Sequence, residues 1–156
     1  MDIPRICIVG AGNLSSRRIH PNRAPAGARL VGVCDLDRQK AERNASLYGG
    51  RPYTDMEQML DEQQPDCCII CIGPEQHPRL APVVMRRGIP VYTEKPPAPS
   101  AAQALEVARV SKETGILCTI AFKKRYCNAY SRAREWLGKF DPDDYYSIAI
   151  DYASRQ

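Results

Sequence analysis

The stretch "IVGAGNLS", residues 8–15, decides how this chain folds. A short apolar run at 6–9 stops at Gly10-x-Gly12-x-x-Ser15, and a helical stretch at 15–23 begins where the turn ends. Gly10 permits a tight turn, and Gly12 lets backbone N–H groups approach a pyrophosphate at the helix N-terminus. Asn13 and Leu14 complete the turn. Ser15 holds the third position and is small enough for close packing of helix on strand. By itself this is also the pattern of an ordinary glycine turn. Asp35 adds the second half of a signature: it ends the next strand, 23 residues after Gly12, where a carboxylate can accept both ribose hydroxyls of an adenosine. The same charge repels a 2′-phosphate, which favours NAD over NADP, and Arg38 lies close enough in sequence to offset that. The other role open to Asp35 is a helix N-cap.

Outward from the turn, strand and helix alternate. Apolar runs recur at 30–34, 67–72, 89–92 and 116–122, with a weaker one at 52–53. Between them the spacing predicts helices at 38–48, 56–62, 78–87 and 101–114. Asp55 and Ser100 are N-caps by type, and Ser100 with Gln103 forms a capping box. Gly49, Gly88 and Gly115 each follow a helix, where a left-handed residue closes it. Continuous apolar strands alternating with helices imply a parallel sheet covered on both faces, with ligands at the carboxyl ends of its strands. The expectation is α/β: a Rossmann-like, doubly wound sheet over residues 1–122. After Phe122 the rhythm changes. A basic run, "KKRY", leads to a helix at 128–137, and "YYSIAIDYA" at 145–153 alternates with the period of a half-buried strand. A lone strand cannot bury its apolar face, so residues 123–156 read as a linker helix and the severed start of a second, α+β domain.

Composition narrows the function classes. At 156 residues the chain can bury one ordinary core. Its net charge of +4 is spread among acids, so no stripe for nucleic acid emerges. No apolar run approaches the roughly 20 residues of a membrane span, and the N-terminus has no signal-peptide pattern because it already reads as a strand. No metal-ligand spacing occurs. Seven cysteines lie mostly in apolar strands, which suits a reducing, cytoplasmic setting. Cys68 and Cys71 have CxxC spacing but sit in a strand, away from the helix N-terminus that a redox pair uses, so they read as core packing.

Two strand exits carry further chemistry. "CIGPEQHP" brings Ile72, Gly73 and Pro74 sharply out of the fourth strand, beside the first, where their backbone lines the crevice. His77 opens the next helix as a surface or capping residue, or as a cofactor contact. "YTEKPPAP", residues 92–99, ends the fifth strand in Glu94 and Lys95 and then fixes the backbone with Pro96 and Pro97. Two prolines make a rigid turn, and rigid charged turns at strand ends are where α/β enzymes keep working groups. The plainer alternative is a strand-end ion pair.

"GAGNLS", "VCDLD", "CIGPEQH", "EKPPAPS" and "AFKKRY" occur in the order that resembles the Gfo/Idh/MocA oxidoreductases, relatives of glucose–fructose oxidoreductase and inositol dehydrogenase. The resemblance spans nearly all of residues 3–140, and Glu-Lys-Pro is its most specific element. It implies that Lys95 reaches the nicotinamide ribose and the substrate as the catalytic cation, with Glu94 beside it on the cofactor side. It also places the basic-aromatic step near the substrate cleft, with Arg125 as the contact, although "KKR" also suits a solvated hinge. Ser15 departs from the usual third glycine or alanine, and Pro97 from the commoner leucine. Family members are far longer, and their second domain supplies an aspartate–histidine pair that this chain lacks. The implied whole is an NAD(P)-dependent oxidoreductase acting on a sugar, polyol or related secondary alcohol or ketone, homo-oligomeric through that second domain. The alternative is a non-catalytic dinucleotide-sensing module. A methyltransferase would also use the glycine turn and the acid but leaves the Glu-Lys-Pro turn unexplained.

Overall fold

Six strands lie side by side in the order β3-β2-β1-β4-β5-β6, in a computed structural model that describes residues 2–144, Ser147 and Ala149. They are β1 (Arg5–Val9), β2 (Arg29–Cys34), β3 (Arg51–Tyr53), β4 (Cys67–Ile70), β5 (Val91–Thr93) and β6 (Cys118–Ile120). Every pairing is parallel. The strand order reverses at β1, between β2 and β4, and that reversal opens a crevice at the carboxyl ends. Neighbouring side chains on a strand point to opposite faces, yet Cys7 and Ile8 are both fully buried. The sheet is therefore covered on both sides.

The helices are α1 (His20–Asn22), α2 (Arg38–Tyr48), α3 (Met56–Gln63), α4 (His77–Met85), α5 (Ala101–Thr114) and α6 (Asn128–Leu137). One core layer joins Cys7, Cys68, Ile70 and Val91 of the sheet to Met59 and Leu60 of α3 and Val84 and Met85 of α4. The other joins Ile6, Ile8, Leu30 and Val33 to Ala45 of α2. The doubly wound α/β sheet read from the sequence is what forms. β1, β2 and β3 each begin one residue before their apolar run, at Arg5, Arg29 and Arg51; β4 and β6 are shorter than theirs, which continue into the loops at the carboxyl end, and β5 starts two residues later than expected.

The first helix differs from its expected regular form. A π-helical turn, Ser15–Ile19, precedes α1, and the His20 N–H reaches the Ser15 carbonyl five residues back. Pro21 explains this: it has no N–H for the Arg17 carbonyl, and its ring crowds that carbonyl, so the turn widens just before it. Asp37, Asp55 and Ser100 cap α2, α3 and α5 through their side chains. Gly49, Gly88 and Gly115 all take positive φ, and Gln64 closes α3 in the left-handed region without being glycine.

The chain divides into two compact units, residues 1–121 and 122–156. In the second, a 3-10 turn at Lys123–Tyr126 leads into α6, none of whose residues is buried. Trp136 packs edge-on against Phe140. The strand expected at 145–152 lies outside the described residues, apart from Ser147 and Ala149.

Candidate functional site: the crevice at the glycine turn

The glycine turn sits where β1 ends, and close approach dictates its sequence. Gly10 has φ +98°, and a Cβ there would lie 2.3 Å from the Cys71 carbonyl oxygen and 2.7 Å from Ile72 Cγ2. Only glycine passes this point. A Cβ at Gly12 would meet nothing within 4 Å, so the turn is tight on its inner side and open on its outer side. Asn13 and Leu14 are exposed, and Ser15 is fully buried beneath them.

Asp35 holds this turn. Its Oδ2 accepts from the Ala11 N–H at 2.7 Å and its Oδ1 from the Asp37 N–H at 2.9 Å. The N-cap of α2 is Asp37 instead. Each Asp35 oxygen keeps a second lone pair for a ligand hydroxyl. On the other side of Ala11, its carbonyl accepts from Ser16 Oγ at 3.2 Å and from Asn44 Nδ2 at 3.4 Å. Asn44 was not singled out in the sequence. It is buried on α2 beside Ala41 and Ala45, and its one visible signal is an amide among small residues on the core face.

Two clefts flank the turn. One of about 610 Å³ is lined by Gly10, Asp35, Leu36, Ile72, Arg79 and Leu80. Asp55 and Glu57 add two more acids to its lining, and Val9, Leu36, Met56, Ile72 and Leu80 supply its apolar walls. The second, of about 560 Å³, carries Arg17, Lys40 and Arg43 beside Gly12 and Asn13. Arg38, the cation expected to matter for a 2′-phosphate, is exposed and lies 3.7 Å from Glu42; Lys40 faces the second cleft instead. A third hollow of about 500 Å³, at Arg87 and Ile89, lies at the amino end of β5, opposite the end where such sheets bind ligands.

Two strand exits lie at the same carboxyl end of the sheet, and Gly73, Pro74, Glu94 and Lys95 line neither of the two clefts. Gly73 and Pro74 turn the chain out of the fourth strand, and the Gln76 N–H bonds the Gly73 carbonyl at 3.1 Å. His77 is 1% exposed, so it is no surface residue, and its Nδ1 lies 3.0 Å from the Pro96 carbonyl oxygen. Burial pushes the Cys71 thiol up to about 11; the Glu94 carboxylate adds to this and the Ser15 hydroxyl opposes it. Cys68 is fully buried and its thiol lies well above the usual range for the same reason, so the CxxC pair is core.

Lys95 is exposed, and among the described residues its ammonium makes no ion pair. Glu94 accepts instead from the Lys95 backbone N–H, at 3.2 Å, which disfavours the strand-end ion pair. The Lys95–Pro96 peptide is cis. Arg125 belongs to the second unit and is exposed.

Comparison with known proteins gives this crevice a family. Residues 4–122 match the Gfo/Idh/MocA group, described as an oxidoreductase family with an NAD-binding Rossmann fold. Glycosyl hydrolase family 109 protein 1 of Akkermansia muciniphila is 32% identical over 136 residues, covering 81% of this chain and 28% of the relative. Inositol 2-dehydrogenase 4 of Saccharopolyspora erythraea is 32% identical over 138 residues, covering 85% and 40%. The chain thus spans less than half the length of these relatives. Among solved structures, KijD10, a 3-ketoreductase from Actinomadura kijaniata in complex with NADP, superposes with a TM-score of 0.80 at 19% identity, over 88% of this chain and 44% of that one. The chain belongs to the Gfo/Idh/MocA oxidoreductase family, and residues 4–122 are its NAD-binding Rossmann domain.

Proposed function

We propose that this chain is the cofactor-holding part of an NAD(P)-dependent oxidoreductase that acts on a secondary alcohol or ketone of a sugar or polyol. The bound nicotinamide cofactor supplies hydride exchange at its ring. The turn at Gly10, Gly12, Asn13, Leu14 and Ser15 receives the pyrophosphate, Asp35 the adenosine ribose, and Leu36, Ile72 and Leu80 the adenine. Gly73, Pro74 and Glu94 border the ring end. Asp35 favours NAD, while Arg38 and Lys40 leave NADP possible.

Lys95 carries the chemical reading. Lys95 follows β5 at the carboxyl end of the sheet, on a turn whose next two residues are prolines, and its ammonium makes no ion pair among the described residues. A cation carried on that turn polarises a substrate oxygen and holds or releases its proton. Residues 122–156 open a second domain that completes the substrate site, with Arg125 as a contact. The relatives' greater length supports this, as does an α6 whose described residues stay unburied with Trp136 59% exposed. Homo-oligomerisation falls to that domain. Seven free cysteines support a reducing, cytoplasmic setting.

The test is the longer protein with and without Lys95. Lys95→Ala is expected to lower kcat by roughly 10²–10⁴, the scale of a positioned acid or base, with melting temperature little changed. Wild-type turnover in the variant contradicts the reading. Turnover by the unsubstituted protein that is lost in Lys95→Ala even at saturating NAD separates it from a dinucleotide sensor.

A further inference from the structure

We infer that His77 is a positioning residue for Lys95, acting through the carbonyl of Pro96. His77 is the first residue of α4, and the neighbouring cap position, Gln76, makes no side-chain capping bond. The imidazole is not used locally. It turns instead toward a residue 19 positions downstream and meets the Pro96 oxygen at 3.0 Å. A carbonyl oxygen only accepts, so Nδ1 carries the hydrogen.

The prolines stiffen the turn it holds, but few hydrogen bonds fix where that turn sits. Pro96 and Pro97 have no N–H. Among the described residues, the His77 bond is the only hydrogen bond from another element to residues 95–99. Glu94 is anchored through its N–H to the Ile70 carbonyl at 3.1 Å, and Ser100 begins the capping of α5. Between those two fixed points stand Lys95 and the prolines. The location of His77 is also costly. Its ring is 1% exposed, and Nε2 has no partner among the described residues, whereas an apolar residue would fill the same space without desolvating a polar atom. What the imidazole adds over an apolar residue is the bond to Pro96.

This inference rests on the reading of Lys95 as the working cation, and the test separates the two. Four single variants of the chain are compared, His77→Phe, His77→Gln, His77→Asn and Lys95→Ala, together with one double variant. Asparagine places an amide donor where Nδ1 stands; glutamine places it near Nε2, and phenylalanine fills the space with no donor. Affinities for NADH and for ADP are measured by calorimetry, and backbone order at Lys95 by amide relaxation. Lys95→Ala is expected to weaken NADH about 5- to 10-fold and to leave ADP within about twofold. His77→Phe and His77→Gln should do the same and should drop the Lys95 order parameter from about 0.85 to below about 0.6. His77→Asn should restore both quantities. The double variant His77→Phe with Lys95→Ala should bind NADH no more weakly than Lys95→Ala alone. If phenylalanine does not fold, glutamine carries the comparison. Equal losses for NADH and ADP, or a Lys95 amide as ordered in His77→Gln as in wild type, overturn the inference. Unchanged NADH affinity in Lys95→Ala overturns the lysine reading, and the order parameter still decides whether His77 holds the turn.

Discussion

Asp35 Oδ2 accepts the backbone N–H of Ala11 at 2.7 Å, so the acid that ends the second strand also anchors the turn that ends the first. The Ala11 carbonyl is held from the opposite side by Ser16 and Asn44. A cofactor therefore meets a turn already fixed at both ends of one residue, and little ordering is left for binding to impose.

Asp35→Ala should cost twice. Folding stability should fall by about 1–3 kcal/mol because two backbone N–H groups lose a charged acceptor. NAD binding should weaken by about 1.5–3 kcal/mol, with NADP losing less or improving. Urea denaturation and calorimetry measure the two separately. Equal losses for NAD and NADP remove Asp35 from the ribose, and unchanged stability contradicts its anchoring role.

The two glycines of the turn should fail in opposite ways. Gly10→Ala drives a Cβ into the Cys71 carbonyl at a φ that side chains rarely adopt, and should destabilise the fold by about 2–4 kcal/mol. Gly12→Ala meets empty space and should leave the melting temperature nearly unchanged. It should weaken NAD at least tenfold, because the methyl stands where the pyrophosphate approaches. Thermal melts paired with NAD titrations check both, and a stable Gly10→Ala protein contradicts the packing described.

His20 should give the fold a dependence on mild acid. It is 1% exposed and stacks on Tyr48 at 5.1 Å. Burial lowers its pKa from 6.5 to about 4, and the Arg23 charge adds to this. Between those values the unfolded chain binds the proton and the folded one does not. Stability from this residue is therefore complete above about pH 6.5, declines as the pH falls toward 4, and levels off below. The total is on the order of 3 kcal/mol. Denaturation across this range should show a steeper loss in wild type than in His20→Phe; parallel curves contradict it.

The sequence showed the sheet, the glycine turn and the Glu-Lys-Pro turn because each is written locally. Apolar runs have strand length, Gly10 and Gly12 have fixed spacing, and Asp35 closes a run. What it hid are contacts between distant segments. The bond from His77 to Pro96 and the clamp from Asn44 to Ala11 depend on how helices pack on the sheet, and neither leaves a periodic trace. His77 opens a helix, which suits a surface or capping residue or a cofactor contact, whereas the buried ring faces Pro96 of another loop. The π-helical turn is hidden for a different reason: Pro21 is plain in the sequence, but how the backbone accommodates a proline near a helix start depends on surrounding packing.

The most direct test of the whole account is an amide NMR titration of this chain with NAD. Saturable shifts are expected at Ala11, Gly12, Asn13, Ser15, Asp35, Leu36 and Ile72, spreading to Glu94 and Lys95 and leaving Arg87 and Ile89 unmoved. Adenosine diphosphate should reproduce the first group and not the shifts at Glu94 and Lys95. Shifts centred on Arg87, or none at the glycine turn at saturating NAD, would contradict it.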